Sequence, residues 1–209
     1  MGRYMLMGAA VALAGVVVLT SSPAGAKSVA GVAGPGGGWG KAEEVPGFAA
    51  LNTDGVAQFN SVSCGSAGNC SAGGSYADSS GSAHAFVDSQ VNGRWREAEE
   101  VPGIAALSNR SNAGIYSVSC ASAGNCSAGG NYIGSSSCTV QRCSVQGFVV
   151  SQVNGRWRTP EALPGLAALN KGNRAWVSSV SCASAGHCSA GGTYTPAFRR
   201  EQAFVVSQT

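Results

Sequence analysis

Beyond the first forty residues, apolar and polar positions alternate with a period of two. In Phe59 to Cys64, Val62 and Cys64 share one face and Ser61 and Ser63 the other. After a five-residue Gly/Ser/Ala/Asn loop, Cys70, Ala72, Gly74 and Tyr76 again share a face. Such alternation predicts strands packed on one side. A third strand is predicted at Ala85-Phe86-Val87, and its counterparts are Gly147-Phe148-Val149-Val150 and Ala203-Phe204-Val205-Val206. Val91-Asn92-Gly93 and Val153-Asn154-Gly155 then signal tight hairpins, because Asn-Gly accepts the positive φ such turns demand. A fourth strand carries Trp95 or Trp157 and ends at Pro102-Gly103 or Pro164-Gly165, a turn sequence. No segment past the N-terminal leader has a 3.6-residue period. The predicted fold class is all-β.

These elements recur as a unit. Ser-Val-Ser-Cys, five residues, then Cys-Ser-Ala-Gly-Gly occurs three times. Trp39, Trp95 and Trp157 each stand seven residues before Pro46, Pro102 and Pro164, and Leu51, Leu107 and Leu169 each stand 13 residues before the first Cys of a pair. A fixed period of this kind marks a repeat array. The units run approximately over 39–94, 95–156 and 157–209. The second is six residues longer: Cys64 to Phe86 and Cys182 to Phe204 span 22 residues, but Cys120 to Phe148 spans 28. The insertion, at Gly134 to Ser144, brings Cys138 and Cys143, and as the one large asymmetry it is a place to look for specificity. Trp39 to Val45 reads as a fourth strand without its hairpin, and Ala203 to Thr209 as a third strand without a successor. Pairing the two would complete the last unit and leave no bare sheet edge.

The N-terminus changes the picture of compartment. Arg3, an apolar run of 15 residues from Met5 to Leu19 and the small-residue end Ala24-Gly25-Ala26 describe a secretory signal peptide over 1–26. The run is shorter than the ~20 residues of a spanning helix, so no membrane attachment is expected after cleavage. Residues 27–38 read as a Gly-rich linker and 39–209 as the three-repeat domain. A net charge of +3, spread along the chain, is no footprint for a nucleic-acid partner.

Eight cysteines in an exported chain imply disulfides. The framework and the insertion each contribute complete pairs, which predicts local bridges: Cys64 with Cys70, Cys120 with Cys126, Cys182 with Cys188, and Cys138 with Cys143. Zinc prefers Cys-x2–4-Cys with histidine partners at fixed spacing; here the spacing is x5, and His84 and His187 are unmatched between units. No metal and no cofactor are expected. Neither histidine has an evident nucleophile or orienting carboxylate, and a lone histidine on a turn is ordinarily solvated. Glu43-Glu44 and Glu99-Glu100 suggest paired catalytic carboxylates, but adjacent strand residues point to opposite faces, and the third unit has Glu161-Ala162. No catalytic residue is assigned. Gly73-Gly74 and Gly129-Gly130 are not phosphate loops, since no Lys-Ser/Thr follows. The recurring aromatics remain. Tyr76, Tyr132 and Tyr194 stand 12 residues after their first Cys, and with Trp95 they are the candidate ligand-binding residues, by stacking on sugars or by protein contact. The competing role for the Trp set is an inter-unit core.

Trp95 to Leu107, Ser117 to Gly130 and Phe148 to Gly155 resemble repeats of proteins secreted by actinobacteria, which are in turn similar to β-propeller blades. The resemblance covers Trp39 to Thr209 and brings no catalytic residue with it. It implies propeller-like units, in keeping with the four strands per unit and the terminal-strand closure read from the residues. Propellers have four to eight blades and this chain has three units. Either they close in a trefoil-like or prism-like threefold arrangement, or two chains form a homodimer with six blades. The functional expectation is a secreted, non-catalytic recognition domain for an extracellular glycan or cell-envelope polymer. The alternatives are a hydrolase acting on such a polymer and an assembly module without a small ligand.

Overall fold

Each Ser-Val-Ser-Cys motif lies in a ten-residue strand that hairpins onto the Cys-Ser-Ala-Gly-Gly strand, and the cysteines sit directly opposite one another. The structure, a computed structural model, describes residues 37–108, 112–134, 143–197 and 200–208. The sheets are offset from the sequence units, the first two each taking in the Trp-bearing segment that opens the next one. With each unit taken as a sheet, the first contains β1 (Ala57–Ser66), β2 (Asn69–Ala77), β3 (Ala83–Val91), β4 (Arg94–Trp95) and β5 (Glu99–Glu100). The second has β6 (Ala113–Ser122), β7 (Asn125–Ile133), β8 (Val145–Val153), β9 (Arg156–Trp157) and β10 (Glu161–Ala162). The third has β11 (Ala175–Ser184), β12 (His187–Tyr194) and β13 (Gln202–Ser207). All pairings between these strands are antiparallel, in three sheets. The all-β expectation holds. The single fourth strand predicted for each unit is instead two short pieces, β4 with β5 and β9 with β10, both paired to the third strand.

The predicted bridges Cys64–Cys70, Cys120–Cys126 and Cys182–Cys188 are present. Cys143 is disulfide-bonded; Cys138, with most of the insertion, lies outside the described residues, as do the leader 1–26 and nearly all of the linker. Asn92 and Asn154 adopt φ of 51° and 52°, as the hairpin reading requires. The Pro-Gly corners put Gly47, Gly103 and Gly165 in the left-handed region and lead into α1 (Phe48–Leu51), a 3-10 turn (Ile104–Ala106) and α2 (Leu166–Leu169). Among the described residues no helix is long and apolar enough to cross a membrane.

The connectors carry the core from unit to unit. Val101, Ile104 and Leu107 pack with Ile115, Tyr132 and Phe148 of the second unit, and Leu163 and Leu166 pack with Val177 and Phe204 of the third. Val45, Phe48 and Leu51 likewise cover Tyr76 and Phe86 of the first. A chain that finishes the edge of one unit therefore crosses directly onto the next.

The joint between units explains the repeated motif. A Cβ on Gly73 would lie 2.6 Å from Ile115 Cγ2, and one on Gly129 would lie 2.5 Å from Val177 Cγ1. In the first two Gly-Gly pairs the first glycine is thus a socket for the β-branched side chains of the following unit. The second, Gly74, Gly130 or Gly192, sits where a bulge brings the facing backbone too close for any side chain. The Ser-Val-Ser serines face the same joint: Ser61 Oγ and Ser63 Oγ accept the Val118 and Cys120 amides at 2.9 and 3.0 Å. Ser117 and Ser119 do the same for Val180 and Cys182.

β1 packs against β6 and β6 against β11, while no comparable packing joins β1 to β11. The units form an open series, and the threefold trefoil-like or prism-like closure is not formed. Pairing of the terminal strands is also not formed within this chain. Residues 37–45 contain no strand, Trp39 is fully exposed, and β13 is paired only to β12. The physical reason is placement: residues 37–45 precede the connector that seats on the first unit, and β13 belongs to the third.

Candidate functional site

At one end of the first sheet, Tyr76, which recurs in every unit, meets three polar side chains that do not, Asp78, His84 and Glu100. β2 delivers Tyr76, and β3 delivers His84 directly across from it, so the rings stack at 5.0 Å between centroids and 15° between planes. β5 pairs Glu100 with Phe86, which brings the carboxylate beside both rings. The connecting turn supplies Asp78. His84 Nε2 lies 2.9 Å from Asp78 Oδ2 and Nδ1 lies 3.4 Å from Glu100 Oε1, while Tyr76 Oη donates to Glu100 Oε2 at 3.4 Å. His84 is therefore neither lone nor solvated. It is mostly buried between two carboxylates, and alternation along one strand could not reveal this because its partners come from a turn and another strand.

The turn sequence Asp78-Ser79-Ser80 shapes the Asp78 side. Asp78 Oδ1 accepts from Ser80 Oγ at 2.6 Å and from the Ser80 and Ser82 amides at 2.8 and 3.0 Å. The Ser80 hydroxyl first, then His84 and the Ser82 amide, hold this carboxyl well below the usual carboxylate range. Burial, with the Glu100 charge second, pushes the Tyr76 phenol up to about 12. The phenol thus stays a hydrogen-bond donor at neutral pH. Ser80 and Ser82 bond Asp78 and each other rather than the imidazole, so the cluster holds no nucleophile–base pair of the kind acyl transfer needs. What it presents outward is the half-exposed acceptor oxygens of Asp78 and Glu100. In the other units Gln146 and Gln202 stand opposite Tyr132 and Tyr194, and Ala162 replaces Glu100.

The structure disperses the other candidate residues. Tyr76 and Tyr132 are buried, Tyr76 under Phe48 and Tyr132 against Phe148, so neither offers an open ring face. Tyr194 is half-buried on the third core. Trp95 is half-buried on the free side of the first unit, beside Arg94 and Arg96. The Trp set divides by position: Trp157 is buried between units, where its Nε1 donates to Ser89 Oγ at 3.3 Å, and Trp39 is wholly exposed. Glu99 and Glu100 pair with successive residues of β3, which sends them to opposite faces as alternation demands. His187 is exposed in the place of Asn69 and Asn125, whose side chains accept the Asn92 and Asn154 amides and so dock the Asn-Gly hairpins.

Two further features escaped the sequence pattern. Asp88 is a buried carboxylate where the other units have Val150 and Val206. Its Oδ1 accepts the Ser89 amide at 2.6 Å, Oδ2 has no partner, and burial raises its pKa from 3.8 to about 6. A cleft of about 360 Å³ also opens between the second and third units, reaching Ser151, Arg158, Glu161, Val180, Val206 and Gln208.

No protein-family model matches the chain, and a search of curated proteins finds no match either.

Proposed function

We propose that this chain is an exported recognition module that binds an extracellular glycan or cell-envelope polymer without covalent chemistry, on a scaffold of propeller-like blades. The observation that carries the reading is the Tyr76–Asp78–His84–Glu100 cluster. Its carboxylate oxygens are held in place by the imidazole and the phenol and are half-exposed at the rim. Fixed acceptors of this kind suit the hydroxyl and ammonium donors of amino sugars and envelope polymers. The surrounding sheet is stiffened by a bridge in every unit, so binding orders little protein. Export through the leader at 1–26 supports an extracellular target and the oxidised state of the cysteines. The resemblance to actinobacterial secreted repeats agrees with such a setting.

Retention of the purified protein on a glycan array and on isolated cell-envelope material tests the proposal. Binding is expected for the native protein and is expected to weaken at least about tenfold for Glu100→Gln, the loss of one charge-assisted hydrogen bond. No retention of the native protein under any condition sinks it.

A further inference from the structure

The joints inside this chain show what covers each face of a unit, and among the described residues no further sheet covers either outer face of the series. On the trailing face of the third unit, Ser179 and Ser181 correspond to the hydroxyls that accept amides at the inner joints, and both are exposed. Gly191 corresponds to the sockets Gly73 and Gly129, yet a Cβ there would meet nothing closer than Phe204 O at 3.4 Å. Val205, whose counterpart Val87 is fully buried, is 87% exposed. On the leading face of the first unit, Phe59 and Val62 correspond to the Ile115/Val118 and Val177/Val180 pairs that fill those sockets. Val62 is 61% exposed, against 6% for Val118.

The outer parts of the joint are bare in the same way. At the inner joint, Trp157 donates to Ser89, and Gln152 takes a bond from Ser71 while donating to Ser89. Trp95 and Gln90 are their counterparts on the leading face, and Ser207 and Ser189 are the counterparts of the two serines on the trailing face. Among the described residues, the Ser189 and Ser207 hydroxyls bond each other, at 3.0 Å. β13 has an open edge where β8 carries β9 and β10.

We propose that the trailing face of one chain docks the leading face of a second copy, head to tail, through a repeat of the internal joint. This goes beyond the recognition reading and does not depend on it. In the joint, Ser179 and Ser181 accept the Val62 and Cys64 amides of the second copy, Phe59 and Val62 of the second copy cover Gly191, and its Trp95 donates to Ser207. The segment Trp39 to Val45 of the second copy forms the missing strand on β13. The registers of β9 and β10 on β8 transfer directly: Trp39 opposite Gln208, Glu43 opposite Val205, Glu44 opposite Phe204. Trp39 then enters the 360 Å³ cleft with its Nε1 toward Ser151, as Trp157 lies on Ser89. The connection fits, because Val45 and Phe48 already seat on the first unit as Leu163 and Leu166 seat on the third. The contact is heterologous, so it closes only if the rotation per unit allows. Two chains make six units, within the four to eight of closed propellers.

Sedimentation equilibrium of the purified protein at about 100 μM, far above the Kd of a stable interface, is expected to give twice the chain mass. Val62→Lys spoils only the leading face and Val205→Lys only the trailing face. Both positions are exposed in the single chain, so each variant alone is expected to run at one chain mass, with the unfolding midpoint of the native protein diluted to single chains. Mixing the two restores one intact joint and is expected to bring back a two-chain species, which an isologous contact cannot do. Trp39 emission is expected to shift to the blue on association, read as the difference from Trp39→Phe. One chain mass for the native protein, an undiminished mass for Val205→Lys alone, or no recovery in the mixture overturns the proposal.

Discussion

Val118 and Val62 occupy the same place in the same Ser-Val-Ser-Cys motif, in strands that pair with their neighbours in the same register, yet one is buried and the other exposed. The same contrast separates Gly129 from Gly191. Nothing within a unit distinguishes these pairs; the presence of an adjoining unit does. The repeat encodes both halves of a joint, a socket with hydroxyl acceptors on one face and knobs with free amides on the other. A residue becomes core only where the complementary half arrives. The second unit, covered on both sides, is where the fold concentrates its packing, and the outer units carry the unused halves.

Substitutions at equivalent positions sharpen that contrast. Ile115→Ala removes a fully buried side chain from the inner joint and is expected to cost about 2–5 kcal/mol, with Phe59→Ala costing less than half as much, as urea unfolding will read. Gly129→Ala forces a methyl against Val177 and is expected to cost about 1–3 kcal/mol, whereas Gly191→Ala, read on the protein diluted to single chains, should change stability by less than about 0.5 kcal/mol. Equal losses at the two glycines would break the comparison. Removing the Cys120–Cys126 bridge, which closes a short loop, is expected to cost about 2 kcal/mol by thermal unfolding. The Cys64–Cys70 bridge should cost no more, since its cysteines are less buried.

Asp88 gives a smaller effect with a distinct pH signature. Its folded pKa of about 6 lies above the ordinary 3.8, so the folded state retains a proton that the unfolded chain releases. Stability therefore falls as pH climbs from about 4 to about 6, and levels off above. Asp88→Val, which installs the residue type of the other two units, should flatten that stretch of the curve. It should also raise stability at pH 7 by on the order of 1–2 kcal/mol, discounted for the Ser89 bond that is lost. A profile with the same slope in the variant would remove Asp88 as its source.

Much of this was legible in the residues because it is local. Period-two alternation located the long strands to within a few residues, Asn-Gly located the hairpins, and paired cysteines six apart located the bridges. The Gly-Gly pairs were visible, but their purpose was not, since it depends on Ile115 and Val177 arriving from the next unit. The candidate site was harder still. Tyr76 stood out through its repetition, and its burial, its stacking on His84 and its bond to Glu100 all arise across strands.

The amino-acid sequence by itself determined the all-β class, the unit and its count, and the staples within each hairpin, because these follow from side-chain alternation, backbone preferences and the reach of a short loop. Only the tertiary structure decided that the units form an open series, that His84 lies between Asp78 and Glu100, and which copy of each repeated residue is buried. Those outcomes depend on which surface meets which, and identical motifs cannot express that difference along a chain.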